Sequence, residues 1–353
     1  MRCSCWVCRI LQSGGYEDAG GRIDKTNIMK MRALQLKGLN ELVMTELPVP
    51  EPKHDEVLVR TAAATICTSD LHDIRYNPFG IKYPRTLGHE GAGVVAKAGA
   101  DVKHLAPGMR VAAHPVVPCG KCEECRRGYE HLCSTMGHLG LDRDGCFAEY
   151  FVQRADRVVA LPDHLSLPLG ALLEPVAVCL QAVARAGDIK GRRVLIAGDG
   201  PFGNMIARLA VKAGAGSVVV SGRSPFRLGR IPNVEIMQDV PAKSVDIAIL
   251  AVSAPEAVQA CIKALRPRGR LVIFSNVPAP LPLDFFTLHV SELEIVGACN
   301  DENRIEASLE CLNDTTLALE ELITHRLPFE NWEEAFSLAR DGHDKALKVA
   351  MTF

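Results

Sequence analysis

Four cysteines are spaced closely enough to bind one metal ion. The segment PCGKCEECRRGYEHLC contains them at positions that two, two and seven residues separate: Cys119, Cys122, Cys125 and Cys133. Four thiolates within fifteen residues can surround a tetrahedral Zn²⁺ without help from distant parts of the chain. An iron–sulfur cluster also uses closely spaced cysteines, but the bacterial pattern has three residues before a last cysteine that proline follows. Here seven residues intervene and Ser134 follows, so the spacing favours a structural zinc site.

A closed four-cysteine site does no chemistry, and a second group of residues offers donors for a catalytic metal. These donors are Cys67, His89, Glu90 and Glu174. Each has an ordinary explanation, since a cysteine can be a small core residue and a Glu before Pro175 can start a helix. A lone carboxylate in the apolar segment around Glu174 is otherwise costly to bury. Adjacent side chains usually diverge, which predicts that His89 and Glu90 point in different directions.

A glycine motif with the spacing of a dinucleotide-binding loop follows an apolar strand. In RVLIAGDGPFGNMIARLAVKAG, Gly198, Gly200 and Gly203 end a predicted strand and open a predicted helix. The first glycine permits a tight turn, the second lets a pyrophosphate approach the backbone, and the third permits close packing of helix on strand. The N-terminus of the helix favours the phosphate charge, so its first residues, Pro201 and Phe202, are part of the predicted cofactor site.

The end of the next predicted strand, SVVVSG, indicates which dinucleotide binds. An NAD site requires Asp or Glu about 20 residues beyond the motif, to accept a hydrogen bond from the ribose 2′-OH. This sequence has Ser221, Gly222 and Arg223 there, with Arg227 nearby. Since no carboxylate repels a 2′-phosphate and a guanidinium can bind one, we expect NADP(H) in preference to NAD(H). The alternative is that Arg223 is only a solvent-exposed loop residue.

Two kinds of scaffold must position these residues, and the hydrophobic pattern changes accordingly along the chain. Residues 31–181 contain strand-length apolar segments separated by Gly, Pro and Asp, which is typical of a β-rich domain. Residues 182–319 alternate strands with helices, which predicts a parallel doubly wound sheet. Residues 320–353 have a strand–helix–strand pattern that can return to the first domain. Residues 1–30 are predicted to be a disordered extension.

Composition excludes several classes of protein. A chain of 353 residues with 48% hydrophobic residues suits two folded domains and excludes wholesale disorder. Lys and Arg number 40 against 42 Asp and Glu, with no long basic run, so we expect no nucleic-acid partner. No apolar stretch reaches the ~18 residues of a membrane span, so we expect no membrane partner. Thirteen cysteines cannot all pair within one chain, which with the metal thiolates indicates a reducing compartment, the cytoplasm.

Together these residues resemble the zinc-dependent medium-chain alcohol and polyol dehydrogenases, in the branch of the sorbitol and threonine dehydrogenases. The resemblance runs from about Met31 to the C-terminus. Its most specific part is Gly88-His89-Glu90-x2-Gly93-x5-Gly99-x2-Val102, and the four-cysteine lobe (about 115–135), DGCFAEY, LLEPVAV and LITHRLPF also match. The resemblance implies an α/β fold in which a GroES-like catalytic domain is interrupted by a Rossmann domain, with the active site in the cleft between them.

The resemblance also implies roles for individual residues. Cys67, His89 and Glu174 fall where the family binds catalytic zinc, and Glu90 is either a ligand or lies beside the ligands. Ser69 falls at the hydroxyl that hydrogen-bonds the substrate oxygen, and His72 at the relay histidine. The zinc would activate an alcohol for hydride transfer to the nicotinamide, and the four-cysteine lobe would hold a second, structural zinc. The family usually forms dimers or tetramers, so we expect a homodimer or homotetramer.

Three departures from the family pattern bear on the function. The segment from Gly222 to the strand near Val245 is short, so one crossover helix must be reduced. Asn300 stands near a position where polyol dehydrogenases often carry Arg, which argues against a polyol preference. Gln181 replaces a His that is common after the Glu-Pro motif.

The leading hypothesis is an NADP(H)-preferring zinc enzyme that acts on a secondary alcohol, sugar alcohol or related small hydroxy compound. An NAD-preferring enzyme of the threonine dehydrogenase type is the nearest alternative. A zinc-free quinone reductase would share the Rossmann half but would not need Cys67, His89 and the four cysteines. A non-enzymatic nucleotide-binding or redox-sensing protein is the alternative from another class.

Overall fold

The first part of the chain consists mostly of strands, and the middle part alternates strands with helices. The strands are β1 (Lys30–Gly38), β2 (Glu41–Pro48), β3 (Glu56–Thr65), β4 (Arg85–Thr86), β5 (Glu90–Ala98), β6 (Arg110–Ala113), β7 (Val116–Val117), β8 (Gly137–His138), β9 (Tyr150–Arg154), β10 (Val158–Ala160), β11 (Arg193–Ala197), β12 (Ser217–Ser221), β13 (Glu235–Ile236), β14 (Val245–Leu250), β15 (Leu265–Ile273), β16 (Glu294–Gly297), β17 (Ile323–Pro328) and β18 (Lys348–Thr352). The helices are α1 (Thr68–Tyr76), α2 (Glu123–Arg126), α3 (Leu167–Gly170), α4 (Leu173–Arg185), α5 (Pro201–Lys212), α6 (Pro225–Leu228), α7 (Pro255–Ala264), α8 (Phe285–Val290), α9 (Ile305–Asn313) and α10 (Trp332–Asp341). Short 3₁₀ helices lie at Glu130–Leu132, Ala155–Arg157, Thr315–Leu317, Leu319–Leu322 and Phe329–Asn331.

The computed structural model describes residues 29–277, 280–342 and 345–353. The predicted N-terminal extension therefore lies outside the described residues, apart from Met29 and Lys30. Lys30 already begins β1, where it is paired with Pro48 of β2.

A mixed sheet combines strands from both ends of the chain. Its order is β10-β6-β5-β3-β18-β17, and β9 also pairs with β3. The C-terminal β18 runs antiparallel to β3, with Ala350 opposite Thr65, and parallel to β17. The strand–helix–strand end of the chain thus joins the sheet of the β-rich part. Its apolar core includes Leu36, Phe147 and Phe329, which are fully buried.

A parallel sheet of order β13-β12-β11-β14-β15-β16 is built from the middle of the chain. All of its neighbouring strands are parallel, and helices α5 and α7 follow β11 and β14. The predicted doubly wound α/β fold is confirmed. The strand order reverses at β11, which has β12 on one side and β14 on the other, and ligands of such sheets bind at the carboxyl ends of the strands at this point.

The crossover between β12 and β14 is reduced, as the short segment after Gly222 predicts. It contains only the four-residue α6 and the two-residue β13, and both residues of β13 are exposed. Elsewhere α4 has 13 residues and α5 has 12. Across the described residues, no helix has the length and apolar character that crossing a membrane requires.

Candidate active site

A cavity of about 1850 Å³ lies between the α1 end of the mixed sheet and the carboxyl ends of the parallel strands. From the predicted catalytic set it is lined by Cys67, Ser69, His72, His89 and Glu174. From the predicted cofactor set it is lined by Gly198, Gly200, Pro201, Phe202, Ser221, Gly222, Arg223 and Arg227. Glu90 and Gly203 are buried behind this lining. Residues that are far apart in sequence thus surround one space that is large enough for a dinucleotide and a small substrate.

Three of the predicted metal ligands converge. One donor atom each of Cys67, His89 and Glu90 lies within 4.8 Å of the other two, and all three residues are buried. The expectation that His89 and Glu90 diverge is therefore wrong. The alternation of side chains holds within a strand, whereas β5 begins only at Glu90 and His89 precedes it. Thiolate, imidazole and carboxylate together are donors that suit zinc.

Asp70, which the sequence analysis missed, orients His89. Its Oδ1 lies 3.3 Å from His89 Nδ1, and its Oδ2 accepts a hydrogen bond from the Cys67 backbone N–H at 2.8 Å. Burial alone would lower the pKa of His89, but the charge and hydrogen bond of Asp70, together with Cys67, raise it well above its ordinary value. A carboxylate on Nδ1 fixes the ring so that Nε2 is the nitrogen that can face a metal. The signal was the carboxylate three residues after Cys67, at the N3 position of α1.

Glu90 is held by two buried partners from neighbouring strands. Lys348 Nζ of β18 donates to Glu90 Oε1 at 2.6 Å, and the Thr65 hydroxyl of β3 donates to Glu90 Oε2. Glu90 and Lys348 are 0% and 2% exposed. The charge and hydrogen bond of Glu90 raise the pKa of Lys348 despite its burial. Lys348 was missed because 258 residues separate it from Glu90 in the sequence.

Glu174 lies near the three converging residues but outside their 4.8 Å group. It sits in the first turn of α4, and its Oε2 is buried with no hydrogen-bond partner among the described residues. Burial raises the pKa of Glu174 to about 7. A buried carboxylate oxygen without a partner is costly, and a bound cation would remove that cost.

Ser69 and His72 lie one turn apart on α1 and both line the cavity. Ser69 Oγ is 3.4 Å from His89 Nε2, while His72 makes an edge contact with the ring of Tyr76. Residues three apart on a helix share a face, so both side chains follow the same wall of the cavity.

The four-cysteine lobe is assembled for a metal ion. The sulfur atoms of Cys119, Cys122, Cys125 and Cys133 all lie within 4.8 Å of one another. Backbone N–H groups donate to three of them, from Cys122 to Cys119 Sγ at 3.3 Å, from Cys125 to Cys122 Sγ at 3.4 Å and from Cys119 to Cys133 Sγ at 3.3 Å. The Thr135 hydroxyl and backbone amides lower the pKa of Cys119 to about 5, which favours the thiolate that binds metal.

The glycine loop has the geometry that each glycine predicts. Gly198 has φ +130°, and a Cβ there would lie 2.7 Å from the Ala251 carbonyl oxygen. A Cβ at Gly203 would lie 2.1 Å from the Gly198 carbonyl oxygen. Helix α5 can therefore approach the end of β11 this closely only because residue 203 is glycine. A Cβ at Gly200 would meet nothing within 4 Å, which leaves open space for a phosphate beside the N-terminus of α5.

A carboxylate lies beside the loop after β12, so the expectation that no carboxylate would repel a 2′-phosphate there is wrong. It belongs to Asp199, inside the glycine motif, and its Oδ2 accepts hydrogen bonds from the backbone N–H groups of Arg223 at 2.6 Å and Ser224 at 2.7 Å. The Arg223 side chain is exposed, whereas Arg227 Nη1 lies 3.8 Å from Asp199 Oδ1. The sequence rule searches only beyond the β12 strand and therefore overlooks Asp199.

Gln181 and Asn300, the two other positions that depart from the family pattern, form hydrogen bonds between distant segments. Gln181 accepts a hydrogen bond from Arg304 Nε at 2.8 Å, which ties α4 to the segment before α9. Asn300 lines the cavity and donates to the carbonyl of His131, in the four-cysteine lobe, at 2.9 Å.

Comparison with known families matches both parts of the chain. Residues 53–163 match the "Alcohol dehydrogenase GroES-like domain", and residues 201–314 match the "Zinc-binding dehydrogenase".

Individual relatives match over most of the chain. Sorbitol dehydrogenase of Bacillus subtilis strain 168 is 32% identical over 340 residues, covering 90% of this chain and 96% of that protein. L-threonine 3-dehydrogenase of Pyrococcus abyssi is 33% identical over 321 residues, covering 85% and 92%. Among solved structures, a zinc-binding dehydrogenase of Sinorhizobium meliloti 1021 bound to NADP superposes with a TM-score of 0.87 at 26% identity, covering 92% of this chain and 100% of that one.

Proposed function

The chain belongs to the zinc-dependent medium-chain alcohol and polyol dehydrogenases, and from that premise we propose that it oxidises a secondary alcohol, a sugar alcohol or a related hydroxy compound with NADP in preference to NAD. The observation that carries the proposal is the shared cavity: Cys67 and His89 line the same space as the glycine loop at the reversal point of the parallel sheet. A reacting carbon held at the first group lies within the same enclosure as a dinucleotide held at the second.

Cys67, His89 and Glu174 are the proposed ligands of a catalytic zinc, with Glu90 beside them. The partners of the two carboxylates support this choice. Both oxygens of Glu90 are already bonded, to Lys348 and Thr65, whereas Glu174 has a buried oxygen without a partner. When bound, zinc would supply a Lewis acid that stabilises negative charge on the substrate oxygen.

Ser69 and His72 would move the proton that the alcohol loses. The Ser69 hydroxyl lies 3.4 Å from His89 Nε2, at the proposed metal site, and would accept the alcohol proton while releasing its own proton towards His72. His72 is one turn further along the same face of α1, lines the cavity and is only half buried. A half-buried imidazole that lines the cavity is placed to pass a proton between the site and solvent.

The proposed cofactor site runs along the ends of β11 and β12. The open space at Gly200 and the N-terminus of α5 suit the pyrophosphate, and the nicotinamide ring would accept the hydride. The exposed guanidinium of Arg223 lines the cavity and has no side-chain partner among the described residues, so it can pair with a 2′-phosphate. Ser221, Gly222 and Arg227 complete this end of the site.

Three further properties are part of the proposal. The four cysteines of the lobe hold a structural zinc, which brings the content to two per chain. The free thiols of the described cysteines suit the cytoplasm. The chain forms a homodimer or homotetramer, and the exposed edge strand β16 supports association.

Initial rates with NADP and NAD over a panel of secondary alcohols, sugar alcohols and L-threonine test the proposal on zinc-replete protein. We expect turnover of a hydroxy compound with a higher kcat/KM for NADP, and two zinc ions per chain. Cys67→Ser should lose one zinc together with activity, while Cys299→Ser, at an exposed cysteine, should keep both zinc ions. Faster turnover of L-threonine with NAD would favour the alternative function that the L-threonine 3-dehydrogenase relatives suggest. Nucleotide binding without turnover of any alcohol would indicate a non-enzymatic protein.

A further inference from the structure

The glycine loop of this chain contains an acidic side chain that faces the end of β12. Asp199 stands between the first two glycines of the motif, and its side chain is 12% exposed. It crosses from the end of β11 to the turn after β12 and lines the cavity there. A Cβ at Gly222 would lie 2.5 Å from Asp199 Oδ2, so the carboxylate fits in this place only because residue 222 is glycine.

The Asp199 carboxylate already accepts hydrogen bonds from two backbone N–H groups of the turn after β12. The backbone N–H groups of Arg223 and Ser224 both donate to Asp199 Oδ2, at 2.6 and 2.7 Å. Two adjacent amides that converge on one oxygen form a small anion-binding nest. A 2′-phosphate at the end of β12 would need such donors, but in this chain both already donate to Asp199.

The second oxygen is available to a ligand. Asp199 Oδ1 lies 3.8 Å from Arg227 Nη1, which is an ion-pair distance but longer than a hydrogen bond. Arg227 also donates to the Ala346 carbonyl at 3.5 Å, so its guanidinium is directed partly away from the carboxylate. Oδ1 can therefore accept a hydrogen bond from a ribose hydroxyl, as a carboxylate at the end of the second strand does in an NAD site.

We propose that Asp199 is a specificity-determining residue for the cofactor, which supports an unphosphorylated ribose and opposes the 2′-phosphate that Arg223 attracts. The two charges act in opposite directions on the same phosphate, and the NADP preference is therefore limited. This inference rests on the proposed dinucleotide site but not on the metal or the substrate.

Binding of two cofactor fragments to the full chain tests the inference. The fragments are adenosine 5′-monophosphate and its 2′-phosphorylated form, measured by titration calorimetry at constant ionic strength. Asp199→Asn keeps an oxygen for the two amides but removes the charge, so the 2′-phosphorylated fragment should bind several-fold more tightly. Asp199→Ala also frees the amides, and the gain should reach roughly tenfold. Binding of the unphosphorylated fragment should stay equal or weaken by a few-fold.

Asp188→Asn is the matched control, because Asp188 is exposed outside the cavity, its Oδ1 also accepts a backbone N–H, and the variant loses the same charge. We expect its ratio of the two dissociation constants to equal that of the wild type. An unchanged ratio in both Asp199 variants, or an equal shift in Asp188→Asn, would overturn the inference and leave the dehydrogenase proposal intact. Failure of the wild type to bind either fragment would contradict the proposed dinucleotide site itself. Unfolding midpoints of the variants, compared with the wild type, show that the binding changes belong to folded protein.

Discussion

Single side chains at the candidate metal site differ mainly in which of their oxygens and nitrogens already have partners. His89 is fixed by Asp70, and Glu90 is fixed by Lys348 and Thr65. Glu174 is buried to the same degree as His89 but retains an unbonded oxygen. Removing one partner of a bonded buried group lowers stability, whereas an unpartnered buried carboxylate lowers stability until a cation binds. The two glutamates should therefore respond differently to neutralisation.

Replacement of each glutamate by glutamine separates a ligand from a positioning residue. Glu90→Gln leaves the buried Lys348 ammonium without its counter-charge, so the free energy of unfolding of the metal-free protein should fall by about 3–5 kcal/mol. Glu174→Gln should leave that free energy unchanged or raise it, and should weaken zinc binding about tenfold or more. Urea denaturation and zinc titration of the metal-free protein provide the two measurements.

The opposite result would exchange the roles of the two glutamates. If Glu174→Gln keeps the zinc affinity of the wild type while Glu90→Gln loses it, Glu90 is the ligand. The double replacement of Glu90 by Gln and Lys348 by Met is the control for the buried pair. It should recover much of the stability that Glu90→Gln loses, because no unpaired charge remains.

At the scale of elements, a buried histidine–aspartate pair links the mixed sheet to the loop after β16. His114 follows β6, Asp301 follows β16, and His114 Nε2 lies 2.5 Å from Asp301 Oδ1. The two residues are 2% and 3% exposed. Asn300 makes the neighbouring bond to the four-cysteine lobe. These contacts fix one wall of the cavity with respect to the other.

This pair should contribute to stability in a way that depends on pH. Burial by itself would raise the pKa of Asp301, but the hydrogen bond and charge of His114 lower it below the ordinary value of 3.8. A carboxylate with a depressed pKa in the folded state stabilises the protein above its unfolded pKa, and this stabilisation is lost as the pH falls through the folded value. The contribution is thus complete above about pH 4 and disappears below it.

Asp301→Asn should lower the free energy of unfolding by about 2 kcal/mol at pH 7 and flatten its decline below about pH 4. Urea denaturation across this range measures both effects. His54 and Asp101 form a comparable pair at 2.8 Å, but their side chains are 70% and 69% exposed. Asp101→Asn should therefore change stability by less than about 0.5 kcal/mol. An equal loss in both variants would mean that burial of the Asp301 pair has no energetic consequence.

At the scale of the whole molecule, one edge of the parallel sheet is open to a further strand. Among the described residues, β16 pairs only with β15, and Ile295 within it is 38% exposed. Helix α8, just before it in the chain, exposes Phe285 and Phe286 at 75% and 74%. An uncovered edge strand beside exposed aromatic side chains is typical of an association surface.

Ile295→Asp and Phe286→Asp should each weaken self-association at least about thirtyfold, because they place a charge within an apolar contact. Size-exclusion chromatography with light scattering, over a range of protein concentrations, measures the mass. Leu39→Asp is the control, since Leu39 is 55% exposed in the turn between β1 and β2. A wild type that remains a 38.3 kDa monomer at all concentrations would contradict the proposed oligomer.

Local sequence determined those features that depend on spacing along the chain. The four cysteines lie within one short segment, so their convergence needs only the turns between them. The three glycines of the cofactor loop are likewise explained by contacts within one strand–turn–helix unit. The alternation of strands and helices predicted the parallel sheet, because each buried strand has a distinct apolar run.

Only the tertiary structure decided which distant groups pair with one another. Lys348 reaches Glu90 because β18 is inserted beside β3, and a periodic pattern carries no information about which strands become neighbours. Asp199 reaches the loop after β12 because β11 and β12 are adjacent and Gly222 leaves room for it. Hydrogen bonds depend on distances of a few ångströms, which sequence separation does not fix. The sequence therefore determined the kinds of site, and the packing of strands determined which carboxylates remain free to bind a ligand.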